Sequence, residues 1–222
     1  MSDWIDREGF RANVGIVLMH DDGQVFVGRR SGGRGWQFPQ GGMRPGEQPL
    51  DALYRELHEE IGLTEQDVAV VGQTHGWLRY RLPERYVRRE QAPLCIGQKQ
   101  RWFLLRLVRP EAEFRFDTTG QPEFDRWRWV DWWQPVREVI FFKRQVYTRA
   151  LQQLGRQAFA ETLPPYPPWW RTARTQRVAS VAGNVAGPSA GPAAGPVAGP
   201  AEAAEAVADA AAPGQALAGG GS

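Results

Sequence analysis

The sequence predicts an α/β sandwich, a mixed sheet packed against helices, followed by a disordered tail rich in alanine, glycine and proline. Three observations predict it. Short apolar runs are separated by turn residues over roughly the first 130 positions. Two segments, 50–61 and 142–159, carry apolar residues at helical spacing. The composition changes abruptly after Arg177, beyond which there is no lysine, arginine or aromatic residue.

Residues 13–19 are apolar apart from Asn13 and Gly15, the pattern of a buried strand. Asp21-Asp22-Gly23 supplies a turn into a second strand over 24–29, so a hairpin is expected. An extended stretch at 36–38 leads into a loop with Gly41-Gly42 and Pro45-Gly46, where glycine allows tight turns and proline fixes one dihedral. Leu50, Leu53, Leu57 and Ile61 then recur at three and four residue intervals, one buried stripe of a helix. Strands are expected at 68–74, 77–81, 100–108 and 126–130. A last helix over 142–159 places Val146, Ala150 and Leu154 on one face. Trp132, Trp133, Trp169 and Trp170 read as packing groups rather than platforms for bases.

The domain is expected to occupy residues 1–160, with a connecting segment at 161–177 and a low-complexity tail at 178–222. In that tail Gly-Pro pairs recur every four residues at 187, 191, 195 and 199. Such a segment cannot bury enough apolar surface to order itself, and collagen would need glycine at every third position. The stretch 201–212 is at best transiently helical. Residues 178–222 carry only Glu202, Glu205 and Asp209 as charges, so the remainder holds 27 basic against 22 acidic side chains, about +5. An anionic partner would be steered by that excess.

Cys95 is the single cysteine, which excludes an internal disulfide and any multi-cysteine metal centre; flanked by Leu94 and Ile96, it reads as a core residue. No apolar run reaches eighteen residues and the first ten lack the apolar core of a signal peptide, so a soluble, cytoplasmic protein with no membrane partner is expected. His20, His58 and His75 are scattered and take no catalytic role.

The chemistry is concentrated between Gly41 and Leu63, where five carboxylates and two arginines share one loop and one helix. Glu56, Glu59 and Glu60 stand at i, i+3 and i+4 and share one helical patch. Like charges at these spacings repel by about 0.2 to 0.5 kcal/mol per pair on an exposed helix, and more where water is restricted. A divalent cation with a taste for hard oxygen ligands, Mg2+ or Mn2+, would remove that cost and complete its shell with phosphate oxygens. Glutamates alone would read as a solvated face. Glu47 and Arg55, eight residues apart, suit an ion pair that clamps loop to helix.

Gly41, Glu47, Arg55-Glu56-Leu57, Glu59-Glu60 and Gly62-Leu63 fill all nine fixed positions of the pattern GX5EX7REUXEEXGU, where U is a bulky apolar residue. The chain thereby resembles the Nudix hydrolases, which implies a Nudix-type α/β/α sandwich and metal-dependent cleavage of substituted nucleoside diphosphates. The segments FRANVGIVL, WQFPQGG, WLRYRLP, CIGQKQRWFLL, PEFDRWRWV and FFKRQVY, in this order over about residues 8–155, resemble the bacterial RNA pyrophosphohydrolase branch. That resemblance implies removal of pyrophosphate from the 5′-triphosphate of RNA, or of phosphate from a 5′-diphosphate. The 5′-monophosphate left behind starts mRNA decay. Diadenosine polyphosphate hydrolysis is the alternative, because those enzymes share the WQFPQGG element. RNA 5′ ends are the expected partner, with no DNA.

By the same resemblance Glu56 is the candidate general base and, with Glu59, Glu60, Glu123 and the Gly41 carbonyl, a candidate metal ligand. Arg11 and Arg30 fall near the 5′ phosphates and first bases, Phe142 and Lys143 on the opposing side, and Gln98 is a further polar contact. A guanidinium plane and an aromatic ring can sandwich an unpaired base. The chain departs from the pattern at Ala12, where proline is common, and at Phe141, where a small polar residue is usual.

Overall fold

Eight strands form one mixed sheet in the computed structural model, which describes residues 4–33, 35–110, 112–159 and 162–170. The strands are β1 (Phe10–Met19), β2 (Val25–Arg30), β3 (Trp36–Gln37), β4 (Gln40–Gly42), β5 (Val68–Gln73), β6 (Leu78–Arg81), β7 (Gly97–Leu107) and β8 (Phe124–Val130). The helices are α1 (Pro49–Ile61), α2 (Gln134–Glu138) and α3 (Arg144–Ala158). The order is β3-β2-β1-β7-β5, with β4 on β1, β6 on β7 and β8 on β2. β1 and β7 run parallel from Phe10↔Gly97 to Met19↔Arg106, and every other pairing is antiparallel.

All ten residues of β1 are buried, because it is covered on both faces. Ala12, Val14, Ile16 and Leu18 alternate toward one face, where they meet Leu53, Leu57 and Ile61 of α1 and Phe103, Leu105 and Leu107 of β7. On the other face Gly15 lies under the Trp102 ring, and a Cβ there would stand 2.6 Å from it. Trp102 packs against Phe38 and against Tyr147 of α3, with centroids 5.9 and 5.1 Å away. The Phe38 N–H donates to the Tyr147 hydroxyl at 3.1 Å. One layer therefore holds α1, the next the sheet, the third α3: an α/β/α sandwich.

The expected hairpin forms but is short. Gly23 adopts φ 87° and donates to the His20 carbonyl at 3.0 Å, yet β1 and β2 pair only at Met19↔Val25. β2 then diverges to pair with β8 through Val25↔Val130 to Arg30↔Phe124, while β4 occupies the vacated edge of β1 at Asn13 to Gly15. β4 itself escaped the sequence reading because two of its three residues are glycine. β7 begins three residues earlier than expected, its polar start held between β1 and β6.

In α1, Pro49 fits the first turn and Gly62 ends the helix at φ 76°, its N–H on the His58 carbonyl at 3.0 Å. Leu50 does not join the buried stripe: it is 44% exposed, and Ala52 and Leu53 start the buried face instead. α3 begins at Arg144 because Phe141–Lys143 form a tight 3-10 turn, and the five-residue α2 was not expected. Trp132 and Trp133 are buried packing groups. Cys95 is not core: it is half-buried in the loop before β7, its thiol bonded to the Gly97 carbonyl at 3.3 Å, and its neighbour Leu94 is exposed.

Described residues up to Leu163 make one unit, and 164–170 belong to a second. In the second, Trp170 lies 4.9 Å from Tyr166 and 5.7 Å from Trp169, ring to ring. The tail at 178–222, including the stretch 201–212, lies outside the described residues, as do positions 171–177.

Candidate active site

The loop from β4 to α1 is closed by one guanidinium. Arg55 donates from Nε to Glu47 Oε1 at 2.7 Å and from Nη2 to Glu47 Oε2 at 2.9 Å, the bidentate geometry peculiar to arginine. The same Nη2 donates to the Gly42 carbonyl at 2.8 Å, so the loop is tied to the helix by side chain and backbone together. Glu47 Oε2 also takes the Arg44 N–H at 2.7 Å. Burial alone would push the Glu47 carboxyl up, but the Arg55 and Arg44 hydrogen bonds hold it below the usual carboxylate range.

The remaining nitrogen of Arg55 serves the helix glutamates. Nη1 lies 2.5 Å from Glu56 Oε1 and 3.3 Å from Glu59 Oε2, and Arg44 Nη2 reaches Glu59 Oε1 at 3.3 Å. Glu56 is only 7% exposed. Its carboxyl presses on the backbone of Gly41, where any Cβ would overlap it; this position tolerates no side chain unless Glu56 moves. Burial pushes the Glu56 carboxyl up to about 7, Arg55 opposes the rise, Glu59 adds to it, and Arg11 opposes it from the sheet.

Glu60, one turn after Glu56 on the same buried face of α1, takes a different partner. It is buried and accepts the Gln40 N–H at 2.9 Å, fixing α1 to β4. Glu123 precedes β8, pairs with Arg30 at 3.4 Å, and its carbonyl accepts the Ser31 N–H at 2.9 Å. The three glutamates, neighbours on the helix, take different partners. Among the described residues no three His, Cys, Asp or Glu side chains are gathered so as to hold a metal ion. Helical spacing put the glutamates on neighbouring positions, but Arg55 and the Gln40 N–H draw them to different partners. Glu56 and Glu59, sharing one cationic nitrogen beside Gly41, fit an open oxygen site that leaves positions for water and phosphate, and they do not fit a closed cage.

The proposed substrate residues lie across the sheet. Arg11 on β1 and Gln98 on β7 are in parallel register, both buried, and the Arg11 guanidinium packs against Gly42 where a Cβ would strike it. Gln100 donates from Nε2 to Gln98 Oε1 and to Gln40 Oε1, each at 3.3 Å. Lys143 is buried. Phe142 lies between Tyr80 and Tyr86, with ring centroids 5.8 and 5.2 Å away. Arg30, at the end of β2, is held on the Glu123 side. Gln40, Gln100, Tyr80 and Tyr86 were not singled out in the sequence. Strand alternation was the available signal for Gln100, two residues from Gln98 and therefore on the same face.

A buried carboxyl raised to about 7, beside a second carboxylate and within reach of Arg55 and Arg11, can accept a proton from a nucleophile while arginine neutralises a polyphosphate. The comparisons agree with that chemistry. The NUDIX domain matches residues 9–150. An RNA pyrophosphohydrolase from Alkalilimnicola ehrlichii is 58% identical over 171 residues, covering 77% of this chain and 94% of that protein. One from Halorhodospira halophila is 62% identical over 151 residues, covering 68% and 83%. Among solved structures, the dihydroneopterin triphosphate pyrophosphohydrolase of E. coli matches with a TM-score of 0.50 at 19% identity, over 62% of this chain and 92% of that one, a likeness of fold. With Glu56 buried midway along α1 against the loop glycine Gly41, and with these relatives, the chain belongs to the Nudix hydrolase family, in the branch of the bacterial RNA pyrophosphohydrolases.

Proposed function

We propose that this protein removes pyrophosphate from the 5′-triphosphate of RNA, or phosphate from a 5′-diphosphate, leaving the monophosphorylated end from which mRNA decay starts. The observation that carries the reading is the Glu56 carboxyl, buried against Gly41 and raised to about 7 within the electrostatic reach of both Arg55 and Arg11. A base of that strength matches its task at neutral pH. The relatives named RNA pyrophosphohydrolase support RNA as the substrate.

In this reading Glu56 takes the proton of the attacking water and Arg55 keeps its carboxylate oriented. Arg11, Arg30 and Lys143 neutralise the 5′ phosphates, Phe142 takes the face of an unpaired base, and Gln98 gives a polar contact. Divalent cations are used throughout the family. Glu56, Glu59, Glu60, Glu123 and the Gly41 carbonyl would hold one, Mg2+ or Mn2+, which when bound neutralises phosphate charge and acidifies water. Glu60 and Glu123 would reach it by exchanging their present partners, the Gln40 N–H and Arg30.

The test compares 5′-triphosphorylated RNA with diadenosine tetraphosphate at equal concentration in Mg2+, for wild type and Glu56→Gln. Faster release of pyrophosphate from RNA is expected, and a loss of roughly 100-fold or more in the variant. Faster cleavage of the dinucleotide would make it a dinucleoside polyphosphate hydrolase. Near-normal turnover by the variant would move the base to Glu59, Glu60 or Glu123.

A further inference from the structure

Beside Phe142 the molecule exposes an aromatic and cationic ledge that the reaction above leaves unused. Phe141 is 50% exposed and stands edge-on to Phe142, with centroids 5.4 Å apart. The Arg85 guanidinium lies 5.0 Å from the Tyr86 ring centre and 5.7 Å from that of Phe141, covering both. Tyr86 is buried and reaches Phe142 at 5.2 Å, so the ledge is built onto the ring proposed to receive a base. Arg85 belongs to a segment, residues 79–89, that holds five arginines and the single carboxylate Glu84; Arg79 pairs with Glu8 at 2.7 Å and, with Arg81, turns toward Phe10 on the face of β6 opposite Tyr80. The loop that continues it walls a cavity of about 540 Å3 lined by Arg81, Val87, Arg89, Leu94 and Ile96.

We propose that Phe141, Arg85 and Tyr86 form a subsite for an unpaired RNA base downstream of the nucleotide held at Phe142. The proposal rests on the RNA reading and extends it from the 5′ end into the chain. The charge of the segment calls for an anionic occupant, and two anionic polymers have that charge. An acidic peptide needs only the arginines. A single strand of RNA also uses the flat groups, because every base has a face that stacks on a ring or a guanidinium plane. Continuity with Phe142 places those groups where the strand would leave the catalytic site.

The experiment uses the full chain and RNA hairpins whose 5′ single strands are two or four nucleotides long. Binding is read by fluorescence anisotropy with 3′-labelled RNA, and turnover by pyrophosphate release from the triphosphorylated forms. Wild type is expected to favour four nucleotides over two by about tenfold in Kd and KM, the size of one stacked base. Phe141→Ser and Arg85→Ala, both at exposed side chains, should erase that preference while leaving kcat and KM on the two-nucleotide substrate unchanged. Equal affinity of wild type for the two lengths, retention of the preference by both variants, or an equal loss on both lengths would overturn the proposal. Preferential binding of a glutamate-rich peptide that competes at Arg85, with no RNA length dependence, would assign the ledge to a protein partner instead. Length-dependent binding without RNA turnover would leave the subsite standing and defeat the hydrolase reading alone.

Discussion

Glu56→Gln should stabilise the metal-free protein at pH 8 and leave it nearly unchanged near pH 4.5. The Glu56 carboxyl has an ordinary value of 4.5 and is pushed up to about 7 in the fold, chiefly by burial. Between those values the folded chain keeps a proton that the unfolded chain has released. Stability from this group is therefore complete below about pH 4.5 and is lost as pH rises to about 7, beyond which the loss is constant. A shift of this size corresponds to roughly 3 kcal/mol at 1.36 kcal/mol per pH unit. At 7% exposure there is little solvent to screen it. Glutamine has the shape of the protonated acid and keeps an oxygen for Arg55, which also retains Glu47 and Glu59. In a domain of this size 1 kcal/mol moves Tm by about 2 to 4 °C, so the variant should melt roughly 6 to 12 °C higher at pH 8. Thermal melts in EDTA across pH 4.5 to 8 measure the gap directly. A gap that does not change with pH, or a variant less stable than wild type at pH 8, would refute the assignment of a buried, proton-retaining carboxyl.

Mg2+ should invert that order: it binds the ionised carboxylate, so it should raise the wild-type Tm more at pH 8 than at pH 6 and do little for Glu56→Gln, as paired melts with and without metal would reveal. Arg55→Met removes the cation shared by Glu47, Glu56 and Glu59 and should cost about 3 to 5 kcal/mol at pH 7, read as a fall in denaturant midpoint; a near-wild-type midpoint would show that the cluster does not hold the loop. Gly41→Ala drives a Cβ into the Glu56 carboxyl, which can swing aside, so kcat/KM on 5′-triphosphorylated RNA should fall about 100-fold while Tm moves by only a few degrees; full activity would separate Gly41 from the reaction.

The reach of the sequence is clearest in α1. The apolar spacing located the helix to within a residue, since Leu53, Leu57 and Ile61 must share one buried face, and Gly62 ended it by the left-handed turn that glycine takes at no cost. The fixed spacing of Glu47 and Arg55 contained their ion pair in the same way, because loop and helix are joined by so few residues. What stayed hidden depends on strands distant in sequence. The edge of β1 that a hairpin partner would have filled is taken by β4, whose two glycines carry no strand signal, and this exchange brings Gly41 to Glu56 and the Gln40 N–H to Glu60. Spacing along one helix therefore could list Glu56, Glu59 and Glu60 together but could not tell them apart. The Glu56 carboxyl lies where a Cβ of Gly41 would stand, and burial there raises it to about 7. The space for that carboxyl is left by Gly41, fifteen positions earlier, and Gly41 is held there by the pairing of β4 with β1 rather than by anything in the helix itself.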